Sequence, residues 1–216
     1  MQGVIFDFNG TLFFDNDKHV KAWSRISKDL RGRPITEDEL HTHMNGKPNI
    51  EIVKYLTDGK ATPEEAERLS TLKEKYYREA CVEDQATFHL VEGAEKLFDD
   101  LKAQGVPFTI ASASIKDNID FFVENFLLDK WIEPENIVYD DGSYKDKVAM
   151  FQKASKILNV PLDKMTVIED SLAGVNNSIK AGVQDIRLMD SGHIYNEVKD
   201  YPQIKQVVMN MNEIER

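Results

Sequence analysis

Apolar residues fall along this chain in two alternating rhythms. Short runs rich in β-branched and aromatic residues, each closed by a polar cluster, predict strands over residues 3–8, 107–112, 137–139, 165–169, 186–189 and 207–209. Between them the apolar spacing widens to the helical period. Residues 92–104 put Ala94, Leu97, Phe98 and Leu101 on one face and stop at Gly105. Residues 114–126 align Ile115, Ile119, Phe122 and Phe126, with Ser114 as the predicted cap and Asp117 three positions on. Helices over 147–158 and 172–181 complete the series, the second closing on Gly182 as a helix C-terminus does. Strands alternating with helices predict a parallel sheet flanked by helices.

The alternation breaks once. From about residue 14 to residue 82 the chain carries helical patterns and no strand pattern. Residues 18–30 set Val20, Trp23, Ile26 and Leu30 on one face, and residues 50–56 form a second short helix. Thr62-Pro63-Glu64-Glu65 supplies a cap, a first-turn proline and a capping-box glutamate for a third, running through Leu69, Leu72, Tyr76 and Ala80. The expected fold class is α/β: a Rossmann-like parallel-sheet core, residues 1–13 with 88–216, carrying an inserted all-helical cap domain over 14–82, with 83–87 as linker.

Charge narrows the partners. Among 216 residues, 27 Lys and Arg face 38 Asp and Glu, a net charge of −11, which argues against nucleic acid or an anionic membrane surface as a partner. The one cysteine, Cys81, excludes an internal disulfide and reads as a small helix residue. No apolar run reaches the roughly 18 residues of a membrane span, and Met1-Gln2-Gly3 leads straight into a strand rather than a signal peptide. A cytoplasmic monomer is expected.

Ligands of open α/β sheets bind at the carboxyl ends of the strands. Asp7-Phe8-Asn9-Gly10-Thr11 follows the first predicted strand, Ser112 ends the second, and Glu169-Asp170 ends the one over 165–169. Lys145, with Lys147 as its rival, lies on the polar loop before a helix. A carboxylate can attack phosphorus, hard oxygens suit Mg²⁺, and a lysine and a hydroxyl can hold phosphoryl oxygens. Alone, Asp-x-Asn-Gly-Thr is more often a turn, and Trp23 reads as packing between helices. His19 is balanced between a substrate contact and a solvated residue. His41, His43, His89 and His193 have no metal-ligand spacing.

Taken together, these segments resemble the haloacid dehalogenase superfamily, in the branch with a helical cap after the first strand, and within it the β-phosphoglucomutase-like phosphatases. The resemblance implies that Asp7 is the nucleophile. It implies Mg²⁺ held by Asp7, the main-chain carbonyl of Asn9, Asp170, and Glu169 directly or through water. Thr11 would steady the loop, Ser112, Ala113 and Lys145 would bind the transferring phosphoryl group, and His19 and Lys47 would meet substrate from the cap. The implied function is a Mg²⁺-dependent phosphohydrolase of a small phosphorylated metabolite, a sugar phosphate by analogy, working through an aspartyl-phosphate. Two positions depart from the pattern. Asn9 stands where the family's phosphatases carry an acid–base Asp, and an amide exchanges no proton near neutral pH. Asn49 stands where a β-phosphoglucomutase carries an arginine for its second phosphate. A phosphomutase and a weakly catalytic phosphometabolite-binding protein are the alternatives.

Overall fold

The computed structural model describes residues 1–44 and 46–215; Asn45, in the loop that carries Lys47, lies outside them. The chain divides into two compact units, Met1–Phe14 with His89–Arg216, and Asp15–Phe88.

The first unit is built on a six-stranded sheet of strands β1 (Gly3–Phe6), β2 (Phe108–Ile115), β3 (Val138–Asp140), β4 (Met165–Glu169), β5 (Asp185–Met189) and β6 (Ile204–Val208), in the order β3-β2-β1-β4-β5-β6. Every pairing is parallel. A central parallel strand is covered on both faces, so it reads as continuous apolar sequence, and all four residues of β1 are buried. Ile5 joins Val167, Ile186, Leu188, Met150 and Phe151 in one core cluster. Phe6, pointing the other way, meets the Phe98 ring edge-on at 5.2 Å. The order reverses at β1, between β2 and β4, and that reversal opens a crevice at the strand C-termini where such folds bind ligands.

The strand limits differ from the sequence pattern for physical reasons. β1 stops at Phe6 because the carbonyl of Phe8 accepts bonds from the amides of Thr11, Leu12 and Phe13, which curls the chain out of the sheet. Phe8 is buried instead by stacking on Phe122 at 4.2 Å. β2 runs on to Ile115, so Ser114 belongs to a strand and is not the helix cap; the helix Lys116–Phe126 has no side-chain cap bond. The helices Lys147–Leu158 and Leu172–Ala181 have the predicted limits, capped by Asp146 and Ser171.

The second unit holds helices Asn16–Arg31, Glu37–Glu39, Asn49–Leu56 and Pro63–Glu83. Its core gathers Trp23, Ile26, Met44, Ile52, Val53, Leu56, Ala66 and Leu69. Three predicted inward positions are corrected. Leu30 is exposed because Ser27, one turn earlier, takes the inward place and donates to the Arg33 carbonyl at 2.7 Å. On Pro63–Glu83 the buried stripe runs through Ala66, Leu69, Lys73, Tyr77 and Ala80, whereas Leu72 and Tyr76 are only half-buried. Lys18 is also buried, with Nζ 2.8 Å from both Asp17 and Asp84, which ties the first helix to the segment after the last. Burial pushes the Cys81 thiol up to about 12, so it stays protonated. Among the described residues, no helix is long and apolar enough to cross a membrane.

Candidate active site

Four strand ends build the site. Asp7 leaves the sheet one residue after β1, its amide donating to the Ile168 carbonyl of β4 at 2.9 Å, while Glu169 is the last residue of β4. Both are buried. Among the described residues, Asp7, Glu169 and Asp170 form a group whose carboxylate oxygens lie within 4.8 Å of one another.

Lys147 bridges the pair. Its Nζ donates to Asp7 Oδ1 at 2.5 Å and to Glu169 Oε1 at 2.5 Å. The structure therefore brings Lys147, not Lys145, to the site. Asp146 caps the helix in an extended conformation and accepts from the Val148 amide, so Lys147 enters the first turn with its Nζ 5.8 Å from the Phe151 ring. Lys145, ahead of the cap, is exposed.

Glu169 is saturated. Its Oε2 accepts from the amides of Asp170 and Ser171, each at 2.9 Å, and from Ser171 Oγ at 3.0 Å, while Oε1 holds Lys147. That leaves Glu169 better suited to orienting Lys147 than to binding an ion directly. Two glycines make room for the acids. A Cβ on Gly174 would stand 1.8 Å from Glu169 Oε1, and one on Gly10 would stand 2.1 Å from Asp170 Oδ2, with Gly10 also at φ +79. Asp170 is held by Thr11 Oγ1 at 3.2 Å and by Ser191 Oγ at 3.4 Å.

Crowding three carboxyls around one ammonium has an electrostatic consequence. Burial raises the Asp7 carboxyl to about 6 against the pull of Lys147, and burial with the charges of Glu169 and Asp7 raises Asp170 to about 9. Burial alone would lower the Lys147 amine, but its two carboxylate partners outweigh that and raise it. A divalent cation with oxygen ligands fits this donor set, since its charge would offset the burial and mutual repulsion that raise Asp7 and Asp170.

The remaining predicted residues divide between the units. Ser112 is buried and its Oγ meets Asn9 Oδ1 at 3.4 Å; Ala113, next along β2, is exposed. Ser114, expected as a helix cap and not as a site residue, donates from Oγ to Asn9 Oδ1 at 2.6 Å. Strand alternation puts Ser112 and Ser114 on one face and could have flagged it. Ser191 was also missed; it follows β5 and donates to the Gly10 carbonyl at 2.7 Å. His19 and Lys47 belong to the helical unit. There, with Lys73, Asn49, Trp23 and Met44, they line a cavity of about 240 Å³. Both His19 nitrogens are engaged, Nδ1 by Lys73 Nζ at 2.8 Å and Nε2 by Asp15 at 3.3 Å. Since an ammonium only donates, Nδ1 is the acceptor and the ring proton lies on Nε2. Asn49 donates to Glu74 Oε1 at 2.7 Å, and Lys73 reaches the same oxygen at 2.9 Å.

Comparison with known proteins agrees with this geometry. Residues 4–188 match the family of haloacid dehalogenase-like hydrolases. A haloacid dehalogenase hydrolase of family IA, variant 3, from Entamoeba histolytica is 31% identical and superposes with a TM-score of 0.92 over 100% of this chain and 96% of that one. A β-phosphoglucomutase from Clostridium difficile shares the fold at 21% identity and a TM-score of 0.77, over 100% of this chain and 93% of its own. A phosphorylated carbohydrates phosphatase of Thermotoga maritima is 24% identical over 86% of this chain and 84% of its own length. The chain belongs to the haloacid dehalogenase-like hydrolase family.

Proposed function

We propose that this protein is a Mg²⁺-dependent phosphohydrolase of a small phosphorylated metabolite, with Asp7 as the nucleophile. The observation that carries this reading is Lys147 held between Asp7 and Glu169 beside Asp170, at the reversal point of the sheet. An Asp7 oxygen attacks phosphorus, and the bond to the leaving oxygen breaks, giving an aspartyl-phosphate. Water then attacks the same phosphorus and returns Asp7. Lys147 has two of its three N–H groups on carboxylates, leaving one for a phosphoryl oxygen. The hydroxyl of Ser112 is a second phosphoryl ligand. Asp7, Asp170 and the main-chain carbonyl of Asn9 would hold Mg²⁺, with Glu169 outside them through water. The cation would neutralise charge on the transferring group.

Sugar phosphates belong on the substrate panel, because the Thermotoga maritima relative is described as a phosphatase of phosphorylated carbohydrates. A phosphomutase is disfavoured: Asn49 is neutral and spent on Glu74, so it makes a poor clamp for a second phosphate. A slowly turning phosphometabolite-binding protein is the second reading, favoured by Asn9. The test is phosphate release across a panel of phosphorylated metabolites, with Mg²⁺ and with chelator, and with product analysis for isomerised phosphate. Mg²⁺-dependent release supports the hydrolase. Binding without release supports the second reading.

A further inference from the structure

Phosphoryl transfer from an alcohol leaves an alkoxide, a strong base that needs a proton as it departs. General acid help for such a step is worth roughly 10²–10⁴-fold. Asn9, two residues after Asp7 and in contact with Ser112, the phosphoryl ligand of the reading above, is an amide. The structure fixes that amide in place. Asn9 Oδ1 accepts from Ser114 Oγ at 2.6 Å and meets Ser112 Oγ at 3.4 Å, while Ser112 Oγ accepts the Ser114 amide at 3.2 Å. An amide N–H can donate a hydrogen bond to an oxygen but cannot release a proton to it. Neither serine hydroxyl is acidic enough to substitute, and Asp7 and Asp170, as cation ligands in the reading above, enter the loaded site as carboxylates. Lys147 keeps its protons against two carboxylates, and its remaining N–H faces the phosphoryl group in the reading above. His19 is no ready acid either, since Nδ1 accepts from Lys73 and the Nε2 proton is given to Asp15.

From this arrangement we infer that the site is built for phosphoryl donors of the anhydride type, whose leaving oxygen is a carboxylate or phosphate oxygen and departs as a stable anion. The inference rests on Asp7 being phosphorylated, as proposed above. In the first step Asp7 forms its bond to phosphorus, and the leaving carboxylate or phosphate keeps the electron pair of the broken P–O bond without taking a proton. In the second, water attacks the aspartyl-phosphate, its proton passes to solvent or to the departing phosphate, and the electron pair of the broken bond returns to Asp7. Alkyl esters, sugar 6-phosphates included, find no ready proton donor for the first step among these residues. They are therefore the poor substrates.

The experiment compares single-turnover leaving-group release from acetyl phosphate and pyrophosphate with release from glucose 6-phosphate, with Mg²⁺ present, in the native protein and in Asn9→Asp. Asp is isosteric with Asn, and the two hydroxyls that meet Oδ1 can equally donate to a carboxylate. In the native protein at least one anhydride should react about a hundredfold or more faster than the ester. Asn9→Asp should raise the ester rate by about 10²-fold and the anhydride rates by only a few fold, so that the ratio collapses. Comparing acetyl phosphate with pyrophosphate tells acyl from phosphate leaving groups. Equal native rates for ester and anhydrides would overturn the inference while leaving Asp7 chemistry intact. So would a variant that speeds both classes alike. Release from no compound in either protein would overturn the hydrolase reading itself.

Discussion

Lys147 Nζ stands 2.5 Å from Asp7 Oδ1 and binds Glu169 at the same distance, so one ammonium orders the two buried acids of the site. Removing it leaves two buried carboxylates facing each other. Lys147→Met should lower phosphate release by at least about 10²-fold, the usual scale for loss of one preorganised charge-stabilising donor. Lys145→Met, altering an exposed residue, should stay within a few fold of the native rate. Parallel kinetics on the two variants separate them, and a reversed result would return Lys145 to the role the sequence suggested.

Gly174 sits so close to Glu169 that an added methyl must displace the carboxylate. Gly174→Ala suits a helix, so its cost should arise from packing, about 1–3 kcal/mol of stability. Activity should fall further than that loss of folding explains, because Glu169 would no longer orient Lys147. Thermal melts beside turnover measurements check both halves.

Lys73 is buried against Glu74 in the helical unit. Lys73→Met takes the buried ammonium away from that carboxylate, and breaking a buried pair from one side costs about 3–5 kcal/mol. Pairing it with Glu74→Gln should recover part of the loss. Denaturant unfolding of the single and double variants measures the coupling, and additive losses would count against the pair.

Glu39 gathers Arg31, both terminal nitrogens of Arg33, the Tyr55 hydroxyl and the Thr36 amide. The Arg33 hydrogen bonds, against a smaller opposing effect of burial, hold its carboxyl well below the ordinary carboxylate range. A depressed folded pKa gives stability that is complete above the unfolded value, about 4.3 for Glu, and is lost as pH falls through the folded one. The melting temperature should therefore drop on acidification below about pH 4, and Glu39→Gln should be less stable at neutral pH with a shallower acid slope. Melting curves from neutral to acid pH for both proteins provide the check.

The sheet was readable because parallel central strands are buried on both faces, so β1 is apolar throughout and β4 is largely apolar up to its terminal acid. Asp7, Glu169 and Asp170 were readable because acids closing buried strands are costly without a purpose. Lys73 was hidden because its place on the buried stripe of Pro63–Glu83 is filled by a charge, and a stripe drawn from apolar residues alone rotates toward Leu72 and Tyr76. The helix start at Lys147 was legible, but which side of that start faces the acids was not. A two-residue offset at an N-terminus decides which lysine enters the first turn, and Asp146 fixes that start through a cap bond to Val148. Ser191 reaches Gly10 across 181 positions of sequence, a separation no local pattern reports.

The most direct test of the Asp7 mechanism is acid-quenched labelling. The native protein is mixed with Mg²⁺ and the radiolabelled form of whichever panel substrate it turns over fastest, and the quenched protein is counted. Label should appear on the protein within the first turnover, be released by hydroxylamine as an acyl phosphate is, and map to the peptide containing Asp7. It should be absent in chelator and in Asp7→Asn, together with phosphate release. Phosphate release that survives Asp7→Asn, or label carried by another residue, would contradict the account.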